Sequence, residues 1–183
     1  REEVAREMSR LVRLGLQEDL GESVLPHVLG QFARAHPHVR IEASVARSDE
    51  LRERIALGQF DLALLWDAGV NHACVHGEHI MRLPLQWIGP ASMDAADAGW
   101  ARWRSGAAQD DDVLPLAMLD APCPLRDIVT AALDKKGMAW RHAFNSASLS
   151  AVWAATAAGL GLSVRTPFGL PAHVKPLDEQ ALG

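Results

Sequence analysis

Apolar residues recur along the chain with two periods, and these alternate in the same order twice. Residues 12–16 form a short apolar run of strand length, and in residues 23–35 Val24, Leu25, Val28, Leu29 and Phe32 fall on one helical face. Pro26 suits such a helix only in its first turn, where backbone N–H groups lack intrahelical partners, and Pro37 ends it. Val39, Ile41, Ala43 and Val45 then alternate with Arg40, Glu42 and Ser44, which predicts a strand with one buried face. Ser48 or Asp49 caps a second helix, Leu51 and Ile55 form its apolar side, and Gly58 stops it. Residues 60–66 are almost continuously apolar, as expected at the buried centre of a parallel sheet.

The order returns in the second half. Residues 114–119 read as a strand. Leu125, Ile128, Val129, Ala132 and Leu133 make a helical stripe that ends at Gly137. Residues 140–144 read as a strand, Ser148 caps a helix carrying Leu149, Val152, Trp153 and Thr156, and Gly159 closes it. Residues 161–165 are the last strand, stopped by Pro167. Between the repeats, residues 83–88 predict another strand with Gly89-Pro90 as a turn, and residues 91–112 are a connecting segment with one weak helix. Parallel strands need helical crossovers, so two βαβαβ units predict two α/β lobes. Ligands in such sheets sit beyond the carboxyl ends of the strands, which makes a cleft between the lobes the expected site.

Composition narrows the function. Hydrophobic residues make up 49% of the 183, enough for a substantial core, and the apolar stretch 151–164 is too short and too rich in Gly and Ala to span a bilayer. The net charge of −5 and the absence of a basic stripe argue against a chain that grips nucleic acid by itself. Two cysteines, Cys74 and Cys123, far apart and without a CxxC, suit a reducing cytosol and a cytoplasmic protein.

Several motifs in this order resemble the regulatory domain of LysR-type transcriptional regulators, over residues 12–178. Arg13-Leu-Gly-Leu, Leu25-Pro and Phe32-Ala-Arg-Ala-His-Pro-His-Val-Arg-Ile resemble that family's first strand, helix and second strand. Asp49-Glu-Leu and Gly58-Gln-Phe-Asp-Leu-Ala-Leu-Leu resemble its second helix and third strand, and Ser148-Leu with Ala157-Ala-Gly-Leu-Gly-Leu resembles the sensor helix and strand of its second lobe. Gln17-Glu-Asp, Trp87-Ile-Gly-Pro, Asp120-Ala-Pro-Cys and Val164-Arg-Thr-Pro look closest to an LrhA-like branch. The resemblance implies two Rossmann-like lobes of the periplasmic-binding-protein type II fold with a ligand cleft between them. Residues 1–11 correspond to the end of a linker helix, 12–90 to the first lobe, completed by 175–183, and 91–174 to the second lobe. It also implies a small-molecule effector and a homodimer or homotetramer, in which helix 23–35 packs against helix 148–158 of an antiparallel partner. DNA is contacted only through an amino-terminal winged helix-turn-helix that this sequence lacks. The family pattern continues past Gly183 with a strand and a helix, so the chain reads as truncated.

The candidate effector contacts follow from the strand ends. Gln17, Glu18 and Asp19 lie between the first strand and the first helix, where the family contacts its effector and where helix N–H groups suit an anion. Two carboxylates there favour a ligand amine or hydroxyl over a dicarboxylate, and Asp19 either caps the helix, contacts the ligand, or does both. Arg47 and Ser48 begin the second helix, and Trp66, ending the third strand, stacks on a ligand or packs the lobes. On the opposite wall stand Asp120, Ala121, Pro122, Cys123 and Arg126. Cys123 lies near the reactive thiol of the family's peroxide-sensing branch, although its resolving partner is missing and a buried filler is the ordinary role of a cysteine. Arg126 either clamps an acidic effector group or joins a surface ion pair. Ser146, Ser148 and Thr166 resemble positions lining the second lobe.

Other chemistry has weaker support. His72, Cys74 and His76 would share one side of an extended segment, with His79 nearby, but no second ligand pair and no known metal spacing accompany them. No GxSxG, P-loop, GxGxxG or HExxH occurs, so no enzyme and no cofactor are expected. A free-standing periplasmic-type solute-binding protein is the alternative, and a small transferase on an α/β scaffold a further rival that predicts turnover. Neither DNA contact by this chain itself nor membrane insertion is expected.

Overall fold

The computed structural model describes residues 10–67, 76–94 and 113–177. The chain divides into two compact units, the first ending at Glu78 and the second beginning at His79.

In the first unit, strand β1 (Arg10–Leu16) pairs in parallel with β2 (Val39–Val45) on one side and β3 (Leu62–Leu64) on the other. Helices α1 (Glu18–Ala35) and α2 (Ser48–Ala56) are the crossovers. Strand β1 is therefore the centre, and the apolar run 60–66, expected there, supplies only a three-residue strand at the sheet's described edge, with Leu62 60% exposed. The run is apolar because Phe60, before the strand, drops into the core beside Leu51 over Gly15. A Cβ on Gly15 would lie 2.7 Å from Leu51 and 2.8 Å from Phe60. Only Val39 and Ile41 of the expected β2 face are half-buried; Ala43 and Val45 are exposed.

Helix α1 starts earlier than its apolar periodicity predicts, at Glu18, with Gln17 as a cap that makes no side-chain capping bond. Pro26 consequently sits in the helix interior and not in the first turn. It lies on the exposed side, as does Glu22, whose carbonyl loses its partner there, so water can satisfy that group. Leu25, Leu29 and Phe32 are half-buried and Val28 is exposed, while the tightest burial on this helix is in its first turn, at Asp19 and Leu20. Helix α2 is capped by Arg47, and neither Ser48 nor Asp49 takes that role. Arg10 and Leu11, expected in a linker helix, belong to β1.

In the second unit, β5 (Leu114–Leu119) runs parallel to β6 (Trp140–Ser146), crossing over through α3 (Pro124–Lys135). Strand β4 (Gln86–Pro90) pairs antiparallel with both β7 (Ser163–Arg165) and β8 (Val174–Pro176). The two sheets meet where Leu162 bridges Leu116 in parallel. Helix α4 (Leu149–Ala157) connects β6 to β7. Gly89-Pro90, predicted as a turn, lies inside β4, because Gly89 pairs with Lys175 and Pro90 with Val174. Strands β4 and β8 thus both stand in the second unit, whereas residues 83–90 and 175–183 were expected with the first lobe.

Two clusters form the core of this unit. Leu114, Leu116 and Met118 of β5 join Val129 and Leu133 of α3, and Ala117 with Ile88 joins Val152 and Trp153 of α4. The period-2 alternation of β5 therefore feeds two opposite faces, each covered by a helix. Leu149 and Trp153, on the helix expected at the partner interface, are 2% and 3% exposed, since a helix lacking charged residues is drawn into the core. Gly161 is required where its chain crosses β5: a Cβ there would stand 2.9 Å from the Leu116 carbonyl carbon and 3.0 Å from the Ala117 nitrogen.

A charged clasp holds β3 to β1. The Arg13 guanidinium donates to both Asp61 oxygens, at 3.2 Å from Nε and 2.8 Å from Nη2, and the Arg13 backbone N–H donates to the same carboxylate at 2.8 Å. Arg13 beside it holds the Asp61 carboxyl at about 2, below its ordinary 3.8. With the folded value depressed, the clasp stabilises fully above the ordinary carboxylate range and fades as pH falls toward the folded value. Asp61→Asn is therefore expected to lower Tm at neutral pH, with the gap from wild type narrowing between pH about 4 and about 2. A gap independent of pH, measured by circular dichroism melts, would contradict the clasp.

Candidate functional site

Parallel strands end on one side of their sheet, and in the first unit the residues that follow β1 and β3 meet there. The Gln17 backbone N–H donates to the Leu64 carbonyl at 3.1 Å, extending the β1–β3 ladder by one residue. The Gln17 Oε1 then accepts the Trp66 backbone N–H at 3.0 Å. The Asp19 carboxylate accepts the Trp66 indole Nε1–H, with both oxygens at 3.0–3.1 Å, and Oδ1 also accepts the Leu20 N–H at 3.0 Å. On the far side of the tryptophan, its carbonyl accepts Arg52 Nη2 at 2.9 Å and Ser48 Oγ at 3.5 Å. Arg52 is oriented in turn by Asp49 at 3.0 Å.

Four of the six sequence-predicted residues of this unit, Gln17, Asp19, Ser48 and Trp66, are thus brought together. Their arrangement differs from the one expected. Asp19 and Ser48 are 1% exposed and Gln17 8%, and the bonds that each makes clamp Trp66. Asp19 does not cap α1; it occupies the first turn and orients the indole. Glu18 and Arg47, both half-buried, stand at the first residue of α1 and at the cap of α2. Arg52 was missed, although its spacing from Ser48 (i, i+4 on one helix) signals a shared face.

The second unit gathers its own set beyond β5, β6 and β7. The Asp120 backbone N–H donates to the Ser146 carbonyl at 3.0 Å, and Ser146 Oγ accepts the Ser148 N–H at 3.1 Å. Ser148 Oγ lies 2.8 Å from Ser150 Oγ and accepts Ala151 N–H at 3.5 Å, the expected cap. Ala121 and Pro122 are exposed and joined by a cis peptide bond. Cys123 caps α3 with its side chain 5% exposed, as a buried free thiol. Thr166 is 2% exposed, and its hydroxyl has no hydrogen-bond partner among the described residues.

Among the described residues Arg126 joins no surface ion pair. Its Nη1 donates to the Leu119 carbonyl at 3.4 Å and its Nη2 lies 3.0 Å from His142 Nε2. Partial burial, then the neighbouring Arg126 charge, hold the imidazole below its ordinary 6.5. A neutral ring is what can accept a bond from the guanidinium. A small depression beside these groups is lined by Leu119, Cys123, Arg126, Val164 and Arg165, among others. His142 and Arg165 had no place in the expected site. Of the His/Cys run, His72 and Cys74 lie outside the described residues, and His76 and His79 are exposed.

These two units, with polar groups at the carboxyl ends of parallel strands, have the type II periplasmic-binding-like α/β fold. The chain belongs to the LysR substrate binding domain family, whose pattern matches residues 5–175. It is 25% identical over 167 residues to the HTH-type transcriptional regulator PecT of Dickeya dadantii (strain 3937), covering 91% of this chain and 48% of PecT. It is 30% identical over 166 residues to the HTH-type transcriptional regulator DgdR of Burkholderia cepacia, covering 89% of this chain and 50% of DgdR. The chain therefore spans about half the length of the relatives it matches. Its fold is like that of the effector binding domain of QuiR in complex with shikimate, with TM-score 0.72 and 14% identity over 92% of this chain and 79% of that one.

The Trp66 clamp gives a direct prediction. Asp19→Leu removes the acceptor of the indole N–H and is expected to cost roughly 1–3 kcal/mol in urea denaturation, with Asp19→Asn, which retains one acceptor oxygen, losing clearly less. Equal losses for the two variants would show that the carboxylate does not hold the ring.

Proposed function

We propose that this chain is the effector-sensing domain of a LysR-type, DNA-binding transcriptional regulator, and that a small metabolite bound to it controls transcription by the whole protein. The observation that carries this reading is the family match over residues 5–175, joined to a fold like that of a domain holding shikimate. A ligand that controls such a protein must bind its states with different affinities. The groups proposed to recognise it are the polar ones at the strand ends: Glu18, Arg47 and the Trp66 ring in the first unit, and Asp120, Arg126, Ser146, Ser148 and the buried Thr166 in the second. Ala121, Pro122 and Cys123 shape the wall beside them, while Gln17, Asp19 and Ser48 act through Trp66.

DNA contact belongs to another part of the protein, since this chain carries a net charge of −5. The relatives are transcriptional regulators, which supports a sensor without turnover. A cytoplasmic location follows from action on chromosomal DNA, and no described helix is long and apolar enough to cross a membrane. The four motifs at residues 17, 87, 120 and 164 support placement in the LrhA-like branch. Activity assays with the screened metabolites test the absence of turnover; conversion of any of them would contradict it.

A homodimer is the proposed assembly, with α1 against α4 of an antiparallel partner. Val28 is 49% exposed on α1, and α4 offers the small exposed residues Ser150 and Ala154 once Leu149 and Trp153 are buried. Val28→Asp is expected to shift the sedimentation of the chain from dimer toward monomer, and an unchanged sedimentation coefficient would contradict this face. The effector reading is tested by a thermal-shift metabolite screen followed by tryptophan fluorescence titration. Ser148→Asn keeps a capping acceptor but enlarges the side chain, and is expected to weaken the metabolite found by about tenfold, or 1.4 kcal/mol. Undiminished affinity would exclude these strand ends as the binding site.

A further inference from the structure

We infer that the contact between Arg126 and His142 is a proton-operated latch in the second unit. It ties the first turn of α3 to β6 while the imidazole is neutral, and it releases Arg126 once the ring takes up a proton. The latch needs no ligand, so it is tested apart from the effector-sensing reading.

The two side chains come from different elements, Arg126 from the first turn of α3 and His142 from β6, and Nη2 lies 3.0 Å from Nε2. A guanidinium can only donate, so Nε2 is the accepting nitrogen and the single proton of the neutral ring sits on Nδ1. Protonation fills that lone pair. It sets N–H against N–H and cation against cation, which turns an attraction into a repulsion. Among the described residues Arg126 then keeps only its longer bond to the Leu119 carbonyl, at 3.4 Å.

The charged ring has a second place to go. The Trp140 ring stands edge-on to the imidazole with centroids 5.0 Å apart, within range of a cation–π contact. Trp140 is itself fixed, because its indole Nε1–H donates to Asp134 at 2.8 Å, and that carboxylate favours positive charge on this side. The imidazole thus stands between a partner for its neutral form and a partner for its charged form, as a two-state element requires. The described elements packed against β6 leave the balance to these groups. Strand β5 and helix α4 carry no ionisable side chain, and α3 adds to Arg126 and Asp134 only Asp127 and Lys135, both exposed. The other charge on β6 is Arg141, exposed and adjacent. Partial burial, then the Arg126 charge, oppose protonation of the ring, so the unfolded chain takes up this proton first. The latch is therefore closed at neutral pH and opens as the pH falls below the ordinary 6.5.

The test follows the histidine ring carbons of the 183-residue chain by NMR from pH about 7.5 to about 5, with His142 assigned through His142→Gln. His142 is expected to titrate below 6.5, and Arg126→Gln to raise that midpoint while Arg141→Gln leaves it in place. The backbone amides of Asp127 and Ile128 are expected to shift with the His142 midpoint in the wild type and to lose that step in His142→Gln. This wild-type co-titration decides the matter even if Arg126→Gln fails to fold. A His142 midpoint at 6.5 or above, a midpoint that Arg126→Gln does not raise, or α3 amides that ignore the titration would overturn the latch.

Discussion

Parallel pairing is the constraint from which the rest follows. Strands that run the same way end on the same side, and each must hand its chain to a crossover helix before the next strand can pair. In the first unit β1 and β3 end side by side, and the residues that leave them have to satisfy backbone groups no longer covered by the ladder. Gln17 does this with its own backbone and side chain, Asp19 takes the indole N–H of Trp66, and Arg52 and Ser48 close on the Trp66 carbonyl. A buried carboxylate is costly without donors, and three N–H···O contacts offset that cost while fixing the ring at the sheet's carboxyl edge.

The same constraint arranges the second unit. Leu162 bridging Leu116 extends the parallel order of β5 and β6 to the start of β7, so Asp120, Ser146 and Thr166 come out on one side. Gly161 permits that crossing because its hydrogen lies against β5 backbone where a methyl group would collide. Core and proposed site are therefore set by one geometry: the side chains within the strands fill the two helix-covered faces, and the residues proposed to meet a ligand stand just past the strand ends.

The order of elements was legible because period 2 and period 3.6 alternate cleanly, and because Gly58, Gly137 and Gly159 stop helices in the left-handed conformation, with φ of 66–76°. Leu125, Val129 and Leu133 at helical spacing are buried as read, whereas Ile128 of the same stripe is 39% exposed. Boundaries failed where polarity hides structure. Glu18, Asp19 and Gly21 carry no apolar stripe, so the first turn of α1 passed for a loop. The Ala-rich α4 has no charged side, so its large residues Leu149 and Trp153 go inward and leave only small ones such as Ser150 and Ala154 at the surface. The strand-end residues were found by position, but their partners were not. The Asp19–Trp66 contact spans 47 positions in sequence, and only the parallel register of β1 with β3 brings it about. Arg165 escaped notice because a charged residue closing an apolar strand reads as solvated, whereas the fold buries it.

The account turns on Trp66 being gripped by Asp19 at the end of the first sheet. Hydrogen exchange at the indole Nε1 proton, followed by NMR with the resonance assigned through Trp66→Phe, tests this most directly. The account predicts a protected proton whose protection is lost in the Asp19→Leu variant. Rapid exchange in the wild type, at the rate of a solvent-exposed indole, would contradict it.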